Sequence, residues 1–290
     1  MEPSIVFDFD GTLALGHGPV RAYAQQVAPA TGQDGFLERV EAELSCYDAG
    51  QSEFRDGYDI VGSMAKEAGA SDEELQAAYL ASRDVLGSAG ADVDTMPGLA
   101  AFLTELGGVA RLVLATNAPE AGIAELLERW GVADLFDERH FNLGKPAGLE
   151  GLVDRLIEGG PVLSIGDIAV NDLVPAAARG AATALVGARY EHAPIPVTMQ
   201  APSLSELRDA IITWAAHQPA EAAPAHQPAE SAPAQQPAEA APAQQPAESA
   251  PAQHLAEAAP APTQQPPKTW AAQQPIQTPA APGAGTTIER

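Results

Sequence analysis

The chain has 290 residues, which is enough for two compact domains at about 100 to 200 residues each. It carries 39 acidic and 15 basic residues, and this net charge of −24 argues against nucleic acids and anionic membrane surfaces as partners, because like charges repel. The one cysteine, Cys46, cannot form an internal disulfide bond, and no stretch approaches the roughly 18 apolar residues of a membrane span. The first residues carry an acid, Glu2, where a signal peptide needs basic residues, so a cytoplasmic location is the default expectation.

Four short apolar runs predict β-strands, at residues 4–9, 111–115, 161–165 and 181–186. Apolar residues recur at helical spacing between and after these runs, at residues 99–106, 123–130, 149–156 and 204–214. The last of these helices is expected to begin at Ser203, where Ser203 and Glu206 have the spacing of a capping box. This alternation predicts an α/β fold, a Rossmann-like doubly wound parallel sheet with helices on both faces.

The segment from about residue 14 to residue 95 interrupts the alternation, because it contains no predicted strand. One helical face is lined by Leu37, Val40, Leu44 and Tyr47, and Cys46 beside it is expected to be a small core residue. A capping box at Ser71 and Glu74 predicts a second helix. This helix is expected to be lined by Leu75, Tyr79, Ser82 and Leu86.

These helices predict an inserted α-helical cap domain at residues 15–95, an element that can close over a site. Residues 1–14 together with 96–216 would then form the core, and the connections between the two are expected to be hinges at 13–18 and 94–98.

The C-terminal segment, residues 217–290, has a different composition. It holds 15 of the 26 prolines, two of the 15 basic residues and almost no large apolar side chains. A nine-residue unit of the type HQPAEAAPA repeats within it, with two prolines and little beyond alanine for a core. Such a segment is predicted to be disordered. It could serve as a semi-stiff spacer, be a tail without function or, with less support, be a ligand for a proline-binding groove.

Polar residues follow the predicted strands of the core, at the edge where ligands bind to open parallel sheets. In chain order they are Asp8, Asp10 and Thr12, then Thr116 and Asn117, then Lys145, then Asp167, Asn171 and Asp172. Clustered carboxylates repel one another unless a cation or a reaction holds them together. Mg²⁺ suits oxygen ligands from one or two carboxylates and a phosphate, and Lys145 would neutralise phosphate charge. Of Asp8 and Asp10, one can attack as a nucleophile while the other handles protons.

With these motifs, the sequence resembles the haloacid dehalogenase superfamily, in its phosphatase branch with a helical cap inserted after the first strand. The resemblance covers about residues 4–190. It rests on four motifs in the family's order, namely Asp8-Phe9-Asp10-Gly11-Thr12, then Thr116, then Lys145, then Gly166-Asp167 with Asp172.

The resemblance implies that Asp8 is the nucleophile that becomes an aspartyl phosphate, and that Asp10 protonates the leaving oxygen and then activates water. Thr12, Thr116, Asn117 and Lys145 are implied as phosphate-binding residues, and Asn117 also stands before Pro119 where the next helix needs an N-cap, so it could have either role or both. Asp8, Asp10 through its backbone carbonyl, Asp167 and Asp172 are implied as the Mg²⁺ site, with Asn171 as the alternative to Asp172.

The sequence departs from the commonest family pattern at residues 15–18, Leu-Gly-His-Gly, where many members place an acid. This leaves the hinge and the approach of the substrate open. Candidate substrate-facing residues of the cap are His17, Arg21, Arg55 and Tyr58, each of which could also be a surface or packing residue.

The expected function is that of a Mg²⁺-dependent phosphatase of a small phosphorylated metabolite, of phosphoglycolate or sugar-phosphate type. A phosphomutase of the same superfamily is one alternative. A dehalogenase is a weaker one, because carbon–halogen chemistry does not require the acid/base that Asp10 offers. From another class, the protein could be a non-catalytic interaction protein that acts through its proline-rich tail, whose partner the sequence does not identify.

Overall fold

The structure is a computed structural model that describes residues 1–86, 88 and 92–218. Within this part of the chain, six strands form one parallel sheet: β1 Ser4–Phe7, β2 Arg111–Ala115, β3 Glu138–His140, β4 Val162–Gly166, β5 Ala182–Leu185 and β6 Met199–Gln200. The strand order is β3-β2-β1-β4-β5-β6, with every neighbouring pair parallel. This is the order of the doubly wound Rossmann fold, so the predicted fold class is confirmed.

Helices cover the sheet or lie in the segment that follows β1. In chain order they are α1 Gly18–Thr31, α2 Phe36–Asp48, α3 Gly57–Glu67, α4 Asp72–Leu86, α5 Leu99–Leu106, α6 Ile123–Arg129, α7 Ala147–Ile157, α8 Ala169–Asp172, α9 Val174–Ala177 and α10 Leu204–Ala216.

The sheet buries both of its faces, which explains why its central strands are continuous apolar runs. Ile5 and Phe7 point to one face, where they pack in a cluster with side chains of α5, α6 and α10. Val6 and Val113 point to the other face and pack with apolar residues of α7 and α9. The alternation of side chains along each strand therefore builds two cores, one on each side of the sheet.

The sequence did not predict β3 and β6. Both strands lie at the sheet edges, are three and two residues long, and carry polar side chains such as Glu138 and Gln200. An edge strand buries little surface and needs no apolar run, so its sequence gives no strand signal. The predicted strand at 4–9 also ends early: β1 ends at Phe7, the Asp8 N–H still bonds to β4, and the chain bends at Phe9.

The segment after β1 is helical, as the sequence indicated, and α1 to α4 pack on one another. Ser71 and Glu74 form the predicted capping box: the Ser71 hydroxyl accepts from the Glu74 N–H at 3.2 Å and Glu74 accepts from the Ser71 N–H at 2.8 Å. Two expectations for α2 are wrong, since Leu37 and Cys46 are exposed. Val40 and Leu44 are buried as predicted, and the residue that completes this face at its start is Phe36 instead of Leu37.

The two connections to this helical segment run side by side. Leu15 and Asp94 pair as an antiparallel bridge, with backbone N–H to O distances of 2.8 and 3.2 Å. The described residues belong to one compact unit. The prediction for residues 219–290, including the repeats, lies outside the residues that the structure describes.

No helix in the described part of the chain is both long enough and apolar enough to cross a membrane.

Candidate active site

The first motif forms a tight turn at the carboxyl end of β1. The Asp8 N–H donates to Ile165 O at 3.0 Å, so β1 stays paired with β4 up to this residue. The next residues curl, with the N–H groups of Leu13 and Ala14 donating to Phe9 O at 2.9 Å. Gly11 has a φ of 83°, and a Cβ at this position would overlap the Asp167 carboxylate. Glycine is therefore required here, both for the backbone conformation and for the approach of Asp167.

Lys145 is the centre of a buried ion network. Its Nζ donates to Asp8 Oδ1 and to Asp172 Oδ1, each at 2.6 Å, and its side chain is 3% exposed. Burial alone would lower the pKa of Lys145, but the negative charges of Asp172 and Asp8 raise it above its usual value. Lys145 is thus a charged ammonium, with a third N–H that these two bonds leave available.

Asn117 fixes the backbone of Lys145. Its Oδ1 accepts from the Lys145 N–H at 2.6 Å, and its Nδ2 donates to Lys145 O at 3.2 Å. The side chain that the sequence indicated as a phosphate donor is therefore engaged in holding the loop before α7. It also does not cap α6, whose N-cap residue is Gly122.

The two threonines of the motifs are both buried. Thr12 donates to Asp8 Oδ2 at 3.4 Å and is buried, so it restrains the carboxylate. The hydroxyl of Thr116, also buried, accepts from the Ala118 N–H at 3.0 Å, which leaves its own hydrogen free to donate.

Three carboxylates meet beside Lys145. One oxygen from each of Asp8, Asp167 and Asp172 lies within 4.8 Å of the others. Asp172 also accepts from the Ile168 N–H at 3.1 Å. Of the two alternatives that the sequence offered, Asn171 and Asp172, it is Asp172 that contacts Lys145. Asp167 Oδ1 is buried and has no hydrogen-bond partner among the described residues.

These carboxylates affect one another's proton affinity. Burial raises the pKa of Asp8 to about 7 against the opposing charge of Lys145, and Asp172 adds to the rise. Burial, followed by the charges of Asp8 and Asp172, raises the pKa of Asp167 well above its usual value. Three carboxylates with one lysine and one unpartnered buried oxygen fit a divalent cation that prefers oxygen ligands, such as Mg²⁺.

Asp10 is directed away from this cluster. Its Oδ1 lies 3.2 Å from Arg83 Nη1 and 3.4 Å from the Tyr58 hydroxyl, and Arg83 Nη1 donates to the same hydroxyl at 2.9 Å. Tyr58 and Arg83 belong to α3 and α4, so helices of the segment after β1 reach the residues at the end of β1.

Arg83 was missed by the sequence analysis. Its position carried a signal, because Arg83 follows Tyr79 by four residues and precedes Leu86 by three, which places it on the apolar face of α4. A charged residue on a face predicted to be buried needs a partner, and here that partner is Asp10.

Of the four candidate substrate-facing residues, Tyr58 hydrogen-bonds to the motif residue Asp10. Against the effect of burial, the charge of Asp56 and, to a lesser extent, that of the motif residue Asp167 contribute to raising the pKa of Arg55. His17 lies 3.0 Å from Asp48, and Arg21 donates to Glu41 at 2.7 Å, both within the helical segment. The Arg55 guanidinium pairs with Asp56 at 2.9 Å.

Comparisons with known proteins bear on the family and the fold of the chain. Residues 4–180 match the family model described as haloacid dehalogenase-like hydrolase. No protein with a curated description matches the chain.

Similar solved structures share the fold at low sequence identity. A haloacid dehalogenase-like hydrolase from Bacteroides fragilis is 21% identical with a TM-score of 0.53, and the match covers 71% of this chain and 100% of that one. A protein from Clostridium difficile named as a phosphatase is 16% identical with a TM-score of 0.52, covering 72% and 98%. The HAD-hydrolase YfnB from Bacillus subtilis, solved with magnesium, is 16% identical with a TM-score of 0.50, covering 73% and 99%.

The family match spans most of the described residues and includes the end of β1, Thr116, Lys145 and the carboxylates after β4. The chain belongs to the haloacid dehalogenase-like hydrolases, and it is an enzyme of that family.

Proposed function

We propose that the chain is a Mg²⁺-dependent phosphatase that hydrolyses a small phosphorylated metabolite in the cytoplasm through an aspartyl phosphate on Asp8. The observation that carries the proposal is the position of Asp8, whose carboxylate lies between Lys145 at 2.6 Å and Thr12 at 3.4 Å, next to an unpartnered oxygen of Asp167. Phosphoryl transfer needs mainly positioning and charge neutralisation, and these groups are suited to both.

In the first step, an oxygen of Asp8 attacks phosphorus while the bond between phosphorus and the ester oxygen breaks. Asp10, in its protonated form, gives its proton to the leaving oxygen, so the alcohol departs neutral. In the second step, Asp10 takes a proton from water as the water oxygen attacks the aspartyl phosphate, which releases phosphate and regenerates Asp8.

The phosphoryl oxygens would be held by the third N–H of Lys145 and by the hydroxyl of Thr116. Asp8, the Asp10 backbone carbonyl, Asp167 and Asp172 are the proposed ligands for Mg²⁺. When bound, this cation would neutralise phosphate charge and offset the repulsion among the carboxylates. Asn117 acts indirectly, since its two bonds to the Lys145 backbone hold the lysine in place.

We also propose that residues 15–95 form a cap domain that closes over this site, with residues 1–14 and 96–216 as the core. The contacts of Tyr58 and Arg83 with Asp10 support this division, because they bring the helical segment to the reacting carboxylate. The paired connections at Leu15 and Asp94 are where the hinge would lie.

The test is phosphate release by the full chain from a panel of phosphorylated metabolites and p-nitrophenyl phosphate, with and without Mg²⁺. Asp8→Asn removes the nucleophile and should lower kcat/KM by at least about a thousandfold. Asp10→Asn should lower it by about 100- to 10,000-fold, the usual range for general acid–base catalysis. Asp134→Asn, an exposed aspartate of the core, is the matched control and should not change the rate.

Other outcomes would support the alternatives. A phosphorylated isomer formed without phosphate release would support the mutase. No turnover of any compound by folded wild-type protein would contradict the phosphatase and favour a role that depends on the tail.

A further inference from the structure

Arg83 holds more hydrogen-bonding capacity than its contacts use. Its side chain is 1% exposed, and its Nη1 contacts Asp10 and Tyr58. Its Nε and Nη2 are buried and have no hydrogen-bond partner among the described residues. An N–H of a buried guanidinium without an acceptor costs free energy, so such an arrangement is expected where a ligand supplies the acceptor.

The place of Arg83 indicates which part of a substrate it would meet. It reaches the site through Asp10, whereas Lys145 reaches it through Asp8 and Asp172. Under the proposed function, Asp10 serves the leaving oxygen and Lys145 serves the phosphoryl group. Arg83 is therefore beside the leaving portion of the substrate.

The surroundings of Arg83 favour a compact anion. Its guanidinium carbon lies 5.8 Å from the centre of the Tyr79 ring, and the Tyr58 and Tyr79 rings contact each other with centres 5.8 Å apart. These rings exclude water around the guanidinium, which strengthens its attraction for a negative charge. Nε and Nη2 lie along one edge of the guanidinium, and this edge matches the two oxygens of a carboxylate or phosphate.

The backbone of Arg83 is also held against the core. Gly122, before α6, has a φ of 77°, and a Cβ there would overlap Arg83 O and Leu86 Cβ. This close approach fixes the end of α4 and so the direction from which Arg83 enters the site.

We propose that Arg83 is a specificity-determining residue that binds an anionic group on the leaving portion of the substrate. The preferred substrates are then phosphate monoesters whose alcohol carries a carboxylate or a second phosphate near the ester oxygen. This inference rests on the proposed phosphatase function and narrows its substrate class.

The experiment compares kcat/KM within pairs that differ in one charged group besides the phosphate ester common to both, and the member that carries this group is called the charged member. For a carboxylate the pair is 3-phosphoglycerate and glycerol 3-phosphate, and for a second phosphate it is 1,3-propanediol bisphosphate and 3-hydroxypropyl phosphate. The full chain is tested as wild type, Arg83→Met, Arg83→Lys and Arg39→Met, the last replacing an exposed arginine of α2 as the matched control. Thermal unfolding of each variant verifies that it is folded.

We expect wild type to prefer the charged member of at least one pair by tenfold or more. Arg83→Met should abolish that preference, Arg83→Lys should keep a part of it because the charge remains without the two-pronged edge, and Arg39→Met should leave it intact. The pair that shows the preference identifies carboxylate or phosphate. A ratio within a pair cancels any general effect of Arg83 on Asp10, so a purely structural role would leave the ratio unchanged.

The inference is overturned if wild type hydrolyses p-nitrophenyl phosphate but shows no charge preference in either pair, or if Arg83→Met keeps the preference. Binding measurements distinguish a failure of this inference from a failure of the proposed function. Calorimetry with the Asp8→Asn protein, with and without Arg83→Met, measures selectivity between the same pairs without turnover. If wild type releases no phosphate from any ester, the phosphatase proposal fails, and equal binding of the two members of each pair would then overturn the Arg83 inference as well.

Discussion

At the scale of single residues, burial and mutual repulsion disfavour the charged forms of two carboxylates beside Lys145. Burial raises the pKa of Asp8 to about 7 and that of Asp167 well above its usual value. In the unfolded chain both groups lose their protons near pH 4. Between about pH 4 and pH 7 the metal-free folded protein therefore binds more protons than the unfolded chain, and its stability falls as the pH rises.

The first prediction is that Mg²⁺ restores the stability that is lost as the pH rises, and that it binds more tightly at higher pH. Mg²⁺ competes with protons for the same oxygens, so its affinity should rise by up to about tenfold per pH unit between pH 6 and 7.5 for each proton displaced. Calorimetry in buffers of different ionisation enthalpy measures the affinity and the proton release together. Thermal unfolding should show a larger Mg²⁺-induced rise in Tm at pH 8 than at pH 5.

Two variants make this prediction specific. Asp8→Asn should weaken the pH dependence without abolishing it, because Asp167 remains, and Asp134→Asn, which replaces an exposed aspartate, should keep it in full. An affinity for Mg²⁺ that stays constant from pH 6 to 8 in wild type would contradict the role given to these carboxylates.

The residues after the strands were predictable because motif, spacing and strand end all indicate the same edge of the sheet. The contact of Arg83 with Asp10 was not predictable, since the two residues are 73 positions apart and no local pattern connects them. Asn117 shows a related limit. The sequence gives the residue and its neighbourhood, but only the tertiary fold shows that its amide faces the Lys145 backbone.

At the scale of elements, one core residue holds the loop between α2 and α3. Arg189 Nη2 donates to Ser52 O at 2.5 Å and to Phe54 O at 2.6 Å, and its guanidinium lies 5.6 Å from the Tyr47 ring centre. Arg189 follows β5, whereas the loop belongs to the helical segment, so the contact joins the proposed core to the proposed cap.

The second prediction is that Arg189→Met loosens this loop. A hydrogen bond to a charged group contributes about 1.5 to 3 kcal/mol, so amide exchange at residues 49–57 should accelerate by tenfold or more. The core strands should exchange as in wild type. Hydrogen exchange followed by mass spectrometry measures both regions in one experiment.

The control is Arg155→Met, which removes an arginine that pairs with Glu138 at the sheet edge, away from this loop. Equal exchange at residues 49–57 in wild type and Arg189→Met would show that the contact does not restrain the loop.

Elements were predictable where they bury an apolar face and unpredictable where they do not. Helix α4 follows its capping box and its apolar spacing closely. The second predicted box is incomplete: Ser203 contacts the Glu206 side chain at 3.3 Å, but its hydroxyl does not accept from the helix backbone. Strands β3 and β6 lack a buried face, and for that reason the sequence did not predict them.

At the scale of the whole molecule, α10 closes the core. Leu204, Leu207 and Ile211 are at most 5% exposed and pack in the cluster on the face of the sheet that α5 and α6 cover. Two residues after the helix still contact it, with His217 Nδ1 lying 2.8 Å from Thr213 O and Gln218 donating to Trp214 O at 2.8 Å. A truncation that preserves the fold should therefore end at Gln218, so that these two contacts at the end of α10 are retained.

The last prediction is that residues 1–218 keep the stability and the activity of the full chain. The part that is removed holds most of the prolines and few large apolar side chains, and the first 216 residues already carry 33 acidic against 13 basic residues, a net charge of −20. The Tm is expected to stay within about 2 °C and kcat/KM within about twofold, because α10 and the contacts of His217 and Gln218 with it are retained. A second truncation, after Ser203, removes the three buried side chains of α10, each contributing about 1.5 to 3 kcal/mol, a total comparable with the whole stability of a domain. That shorter protein should unfold or aggregate, which shows that the assay detects a damaged core. If residues 1–218 fold but lose turnover, the proline-rich segment takes part in the reaction, and the separation of a catalytic body from an independent tail is wrong.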